Sequence, residues 1–107
     1  MSLTFYLIAN RPTNVFSGNI THNLNTMASA AGIYKCLWRP EEAGVKKAHD
    51  LIAPLAIGLK RLRDEPDFFK GMNPDNGWGD YDGLVKWVEE LLNACVENPD
   101  ATISVHR

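Results

Sequence analysis

A chain of 107 residues, with 45% hydrophobic and 22% charged side chains, has the balance of one ordinary globular domain spanning residues 1–107. Its net charge of −2 argues against a general nucleic-acid or membrane-surface binder, because phosphate contact needs a concentrated basic patch. A domain of this length buries roughly 60–70% of its unfolded surface, so it needs neither disulfide nor metal staples.

Leu3 to Ala9 is rich in aromatic and branched residues and reads as a strand, with Leu3, Phe5 and Leu7 on one face. The run is short and has no basic leader, so no signal peptide is expected. No stretch approaches the ~20 apolar residues of a membrane span. Asn10 to Asn14 is a turn, and Val15-Phe16 can add a short strand before Ser17-Gly18.

Ser17 to Trp38 reads as one helix. Ile20, Leu24, Met27, Ala31, Tyr34 and Trp38 recur at steps of four and three, the helical period, and Asn19 suits its N-cap. No formal charge falls between Arg11 and Lys35 if His22 is neutral. An exposed helix face normally carries Lys and Glu. This one carries Asn19, Thr21, His22, Asn23, Asn25, Thr26 and Ser29, groups that give and accept hydrogen bonds. Such a face packs against loops of its own domain, a ligand or another chain.

Pro40-Glu41-Glu42 has the marks of a helix start. Val45, Ala48, Ile52, Leu55, Leu59 and Leu62 then keep phase across Pro54, which predicts a curved helix with the proline off the stripe. Lys46-Lys47 and Lys60 to Arg63, the nearest approach to a basic patch, read as solvated faces. Asp64 to Gly71 is a short helix in which Phe68 or Phe69 plugs the core. Asn73 to Asp80 is a loop, with Gly77 and Gly79 bracketing Trp78 so that the indole can fold back on the domain. Asp80 caps a last helix with Leu84, Val88, Leu91 and Cys95 inside and Lys86, Glu90, Asn93 and Glu97 outside. Ala101 to His106 alternates like a strand.

The expected fold is therefore a mostly helical single α+β domain. It has three main helices, a short one, and a small antiparallel sheet formed by the N- and C-terminal strands. A two-stranded sheet is marginal in water, so it must lie on the helices, gain Val15-Phe16 as a third strand, or pair with another chain as a homodimer.

Chemistry is poorly provided for. His22, His49 and His106 lie on three different elements, and no G-x-S-x-G elbow surrounds a serine. No His or Cys ligands stand at zinc spacing, and Asp75 to Gly83 fails the calcium-loop register. Neither phosphate-binding glycine motif is present. No cofactor or metal is expected. Cys36 and Cys95, far apart and each in helical pattern, read as buried free thiols in a reducing cytoplasm, with a single disulfide as the alternative.

The run NITHNLNTMASAAGIYKCLWRPEE, followed by NPDNGWGDYDGLVKWVEELLNACVENPDATISV, resembles a group of small proteins encoded by bacterial and phage genomes. They share an N-x-T-x-N-L-x-x-M-like helix start and a later N-x-x-N-G-W-G-x-Y segment. The likeness covers nearly all of the chain from the first helix onward. It falls on Asn19, Thr21, Asn23, Leu24, Met27, Asn73, Asn76, Gly77, Trp78, Gly79 and Tyr81. It implies a cytoplasmic location and no particular activity.

The leading functional expectation is a non-enzymatic binding or accessory module of bacterial or phage origin, engaging a protein partner or a second copy of itself. Its binding residues would be Asn19, Thr21, His22, Asn23, Thr26, Trp78 and Tyr81. The alternative is a small-molecule site, with His22 as acid–base and Asn19 and Asn23 as orienting amides; it requires a concave pocket that includes His22. A third reading makes the polar face structural, satisfied by the domain's own backbone.

Overall fold

β1 (Ser2–Ile8) is the central strand of a three-stranded antiparallel sheet in the order β2–β1–β3, with β2 at Asn14–Thr21 and β3 at Thr102–His106. The structure, a computed structural model, describes residues 2–9, 14–74, 77 and 79–107. The α+β class holds, and so does the sheet joining the two ends of the chain. Leu3, Phe5 and Leu7 are fully buried, as the alternation of β1 requires, and the helices cover only that face.

Ser17 to Trp38 is not one helix. β2 runs through Ser17-Gly18 to Thr21, and a 3-10 turn follows at His22–Leu24. Two short helices come next, α1 (Asn25–Ala30) and α2 (Tyr34–Trp38). Asn19 is a strand residue opposite Thr4, not a helix cap. The cap is Thr21, whose side chain accepts from the Asn23 N–H at 3.3 Å. Two glycines explain the departure. Gly18 faces the core opposite Phe5, where a Cβ would come within 2.7 Å of both Phe16 and the Trp87 indole nitrogen. Gly32, at φ +82°, ends α1. Its N–H bonds the Ser29 carbonyl and the Ile33 N–H bonds the Ala28 carbonyl, the paired bonds of a Schellman stop.

The second long helix also begins later than its proline suggests. Pro40–Glu42 is a single 3-10 turn, and α3 runs Ala48–Asp64. Between them, Lys46 to His49 is stitched to the segment before and within β3. Ile103 donates to Lys46, Ala48 to Ala101 and His49 to Pro99. Asp50 then takes the Lys46 and Lys47 N–H groups at 3.1 Å each, closing the start of α3. These two bonds hold its carboxyl below the ordinary 3.8. The helix continues through Pro54.

α4 (Pro66–Lys70) buries Phe69 and leaves Phe68 55% exposed. α5 (Tyr81–Glu97) is capped by Asp80, which accepts from Gly83 N–H at 2.7 Å. α5 packs on α3 and lays Trp87 edge-on against Phe5 and Phe16, at 6.1 and 5.9 Å between ring centroids. The corner between α1 and α2 docks on α3 through Ile33, which sits over Gly58. Among the described residues no helix is long and apolar enough to cross a membrane.

Candidate functional site

Among the described residues no helix covers the other side of the sheet, and its chemistry is uniform. Register places Asn19, Thr4 and His106 in one cross-strand row and Ser17, Tyr6 and Ser104 in the next, with Ser2 opposite Thr21 and Ile8 opposite Thr102. Directly opposed residues share a face. The Asn19 amide donates to Ser2 Oγ at 2.9 Å and Thr4 Oγ1 at 3.0 Å. Tyr6 meets the His106 ring edge-on at 5.6 Å. None of these residues carries a formal charge when His106 is neutral.

The uncharged chain continues past the sheet. From Asn14 to Tyr34 there is no Asp, Glu, Lys or Arg. Asn23, Asn25, Thr26 and Ser29 are exposed along the 3-10 turn and α1. Asn25, Thr26, Ser29, Ala30 and Tyr34 line an open groove of about 460 Å³. The charged residues lie elsewhere. α3 and α5 carry Lys60, Arg63, Asp64, Glu89 and Glu90, partly as the ion pairs Lys60–Asp64 at 2.7 Å and Arg63–Glu89 at 2.6 Å.

The expected binding residues divide. Asn19 lies on the sheet face, Thr21 closes β2, and Asn23 and Thr26 stand in solvent; so the polar residues are not sealed inside the domain. His22 turns its ring toward Trp38, at 6.2 Å, and Trp38 in turn stacks on Tyr34 at 5.5 Å. His22 Nε2 and Trp38 Nε1 are buried and without a hydrogen-bond partner among the described residues. No hydrogen bond ties His22 to Asn19 or Asn23 among those residues, and His22 does not line the groove beside α1. The hydrogen bonds that would link His22 to Asn19 and Asn23 as an acid–base group are not formed among the described residues.

Tyr81 corrects an expectation outright. It is 7% exposed, and its hydroxyl donates to the Leu62 carbonyl, tying α5 to α3. Its ring belongs to the core, not to a contact surface. Trp78 lies outside the described residues. Its neighbour Gly79, at φ +92°, packs so tightly on Thr21 and Leu24 that a Cβ would fall 2.6 Å from Thr21 Cγ2. The end of that loop therefore sits against the junction of β2 and the 3-10 turn.

Sequence reasoning passed over Thr4, Tyr6, Ser17, Ser104 and His106. The signal was the polar alternation Ser17, Asn19, Thr21 on β2, which Gly18 concealed by supplying no apolar side chain between Phe16 and Ile20.

Both thiols are buried and free. Burial pushes each up to about 12, with Cys36 itself adding to the shift of Cys95, so neither is a nucleophile at neutral pH. Among the described residues no group of three His, Cys, Asp or Glu side chains is placed to hold a metal ion.

No protein-family model matches the chain, and no curated protein or solved structure is significantly similar to it.

Proposed function

We propose that the protein is a non-enzymatic binding module whose contact surface is its uncharged side: the open face of the sheet, continued by the 3-10 turn and α1. One observation carries this reading. All three described strands and the whole segment from Asn14 to Tyr34 lack Asp, Glu, Lys and Arg. A surface kept only for solubility is normally studded with charge. A patch that exchanges water for another macromolecule is depleted in charge and enriched in aromatic side chains, and Tyr6, Tyr34 and His106 supply rings here. The two free, buried thiols fit a reducing cytoplasm, and a bacterial or phage setting follows from the sequence resemblance.

The test is affinity capture from a bacterial lysate with three folded proteins: wild type, an Asn23→Lys/Thr26→Lys variant, and a Glu90→Lys control on the charged side. A protein retained by wild type and control but lost by the double variant is the expected result. Equal retention by all three would remove the uncharged side as the contact surface. A second reading, a small neutral polar ligand in the groove of Asn25, Thr26, Ser29 and Tyr34, is favoured by that groove's hydroxyl, amide and aromatic lining. A rise in melting temperature with such a ligand, lost in Thr26→Lys, would support it.

A further inference from the structure

The two edges of the sheet differ. On the β3 side, Lys47 bridges Thr102, the Ile103 N–H donates to the Lys46 carbonyl at 3.1 Å, and Arg107 folds back to the Trp38 carbonyl and Glu41. That edge is occupied. The β2 side is not.

Register fixes which β2 groups are free. Along an antiparallel strand, successive residues turn their main-chain groups alternately toward and away from a given neighbour. The Ile103 amide points away from β1, toward Lys46, so its opposite residue Leu7 turns its own groups toward β2. Phe5 and Leu3 do the same, facing Gly18 and Ile20. Ser17 and Asn19, opposite Tyr6 and Thr4, therefore direct their N–H and C=O groups out of the sheet edge. Both residues are exposed, and among the described residues no loop or helix supplies them a main-chain bond. Folded proteins ordinarily guard such an edge with lysine, proline or a covering element. β2, Asn-Val-Phe-Ser-Gly-Asn-Ile-Thr, contains neither residue.

We propose that β2 pairs antiparallel with β2 of a second copy of the chain, about a two-fold axis at Gly18, to make one continuous sheet. The proposal rests on reading the uncharged side as a contact surface, and gives the β2 edge of that side its own occupant. In this register Ser17 stands opposite the partner's Asn19 on the open face, and each such pair exchanges two main-chain bonds. Hydroxyl opposite amide repeats what Asn19 already does with Ser2 and Thr4 inside one chain. On the helix side, half-buried Phe16 faces the partner's Ile20, an aromatic on a β-branched residue. Shifting by one residue would turn polar groups toward the core layer. Shifting by two would set Phe16 or Ile20 opposite a glycine. The pairing ends short of Thr21, where Gly79 packs. Each copy carries a net charge of −2, but no like charges meet along this edge.

The test is sedimentation of the purified chain across a concentration series, with Ser17→Lys beside wild type and circular dichroism to confirm folding. The Ser17 N–H makes no bond within the sheet, so the variant should fold. Wild type is expected to reach dimer mass and Ser17→Lys to remain monomeric. Register is read separately by mixing Ser17→Cys and Asn19→Cys chains under mild oxidation; Cys36 and Cys95 are buried and do not compete. Cross-links between positions 17 and 19 should exceed 17–17 and 19–19 products. A wild type that stays monomeric throughout, a dimer indifferent to Ser17→Lys, or homotypic cross-links in excess would each overturn self-pairing. The lysate capture uses variants at Asn23 and Thr26, away from this edge, so it can succeed where self-pairing fails.

Discussion

Gly58→Ala should destabilise the protein even though alanine is the better helix former. Gly58 lies inside α3, beneath the corner where α1 gives way to α2. An added Cβ would fall 2.2 Å from Ile33 Cγ2 and 3.3 Å from the Ala31 carbonyl oxygen. Carbon atoms pack at about 3.5–4.0 Å, so Ile33 would have to retreat by more than an ångström, and Ile33 is fully buried. The helix gains about 1 kcal/mol from losing a glycine, while overpacking a filled core costs about 1–3 kcal/mol. The balance is a loss of up to about 2 kcal/mol, with the melting temperature lower by about 4–8 °C for each kcal/mol lost. Thermal and urea unfolding followed by circular dichroism read it directly. Ile33→Ala alone should cost about 2–5 kcal/mol. The double variant should recover part of the combined loss, with a coupling of about 0.5–3 kcal/mol. A rise in melting temperature for Gly58→Ala, or a strictly additive cycle, would refute the docking of the α1–α2 corner on α3, and with it the placement of the uncharged flank.

Three further outcomes follow from the same structure. Tyr81→Phe should cost about 1–3 kcal/mol by leaving the Leu62 carbonyl unpaired, with no change in lysate capture; lost capture in a folded variant would return Tyr81 to the contact surface. His22→Phe should be neutral or stabilise by up to about 1 kcal/mol, because it removes a buried nitrogen that has no hydrogen-bond partner among the described residues; a drop in melting temperature of several degrees would show that the imidazole has a partner. Asp50→Asn bears on acid stability. The Asp50 carboxyl is held below its ordinary 3.8 by the Lys46 and Lys47 amides, so its contribution is present above that pH and is lost as pH falls through the lowered value. The melting temperatures of wild type and variant should therefore converge in acid, and a gap that stays constant down to pH about 2 would contradict the capping role.

The parts of the fold legible in the sequence were those with a single strong period. α5 showed its buried stripe and its Asp80 cap, and β1 and β3 showed alternation. Ser17 to Trp38 misled because two periods coincide there. Ile20 is the inward residue of a strand, yet it stands four residues before Leu24, the first buried position of the 3-10 turn. Strand and helix signals thus ran together as one helix. Glycine hid both boundaries, since Gly18 leaves a gap in the alternation and Gly32 stops α1 without breaking the apolar spacing. The charge-free run itself was visible. What it lines was not, because the open face of the sheet is assembled from Ser2–Ile8, Asn14–Thr21 and Thr102–His106, the last of them some eighty positions further along the chain.

Hydroxyl-radical footprinting tests the uncharged contact surface most directly, comparing the protein bound to its captured partner with the purified chain at high dilution. Tyr6, Tyr34 and His106 report the uncharged side. Phe68 at 55% exposure and Ile57 at 59% report the exposed apolar residues of α4 and α3, the rival surface. The prediction is that oxidation of Tyr6, Tyr34 and His106 falls on binding while Phe68 and Ile57 stay as reactive as before. Protection of Phe68 and Ile57, with Tyr6, Tyr34 and His106 unchanged, would contradict it.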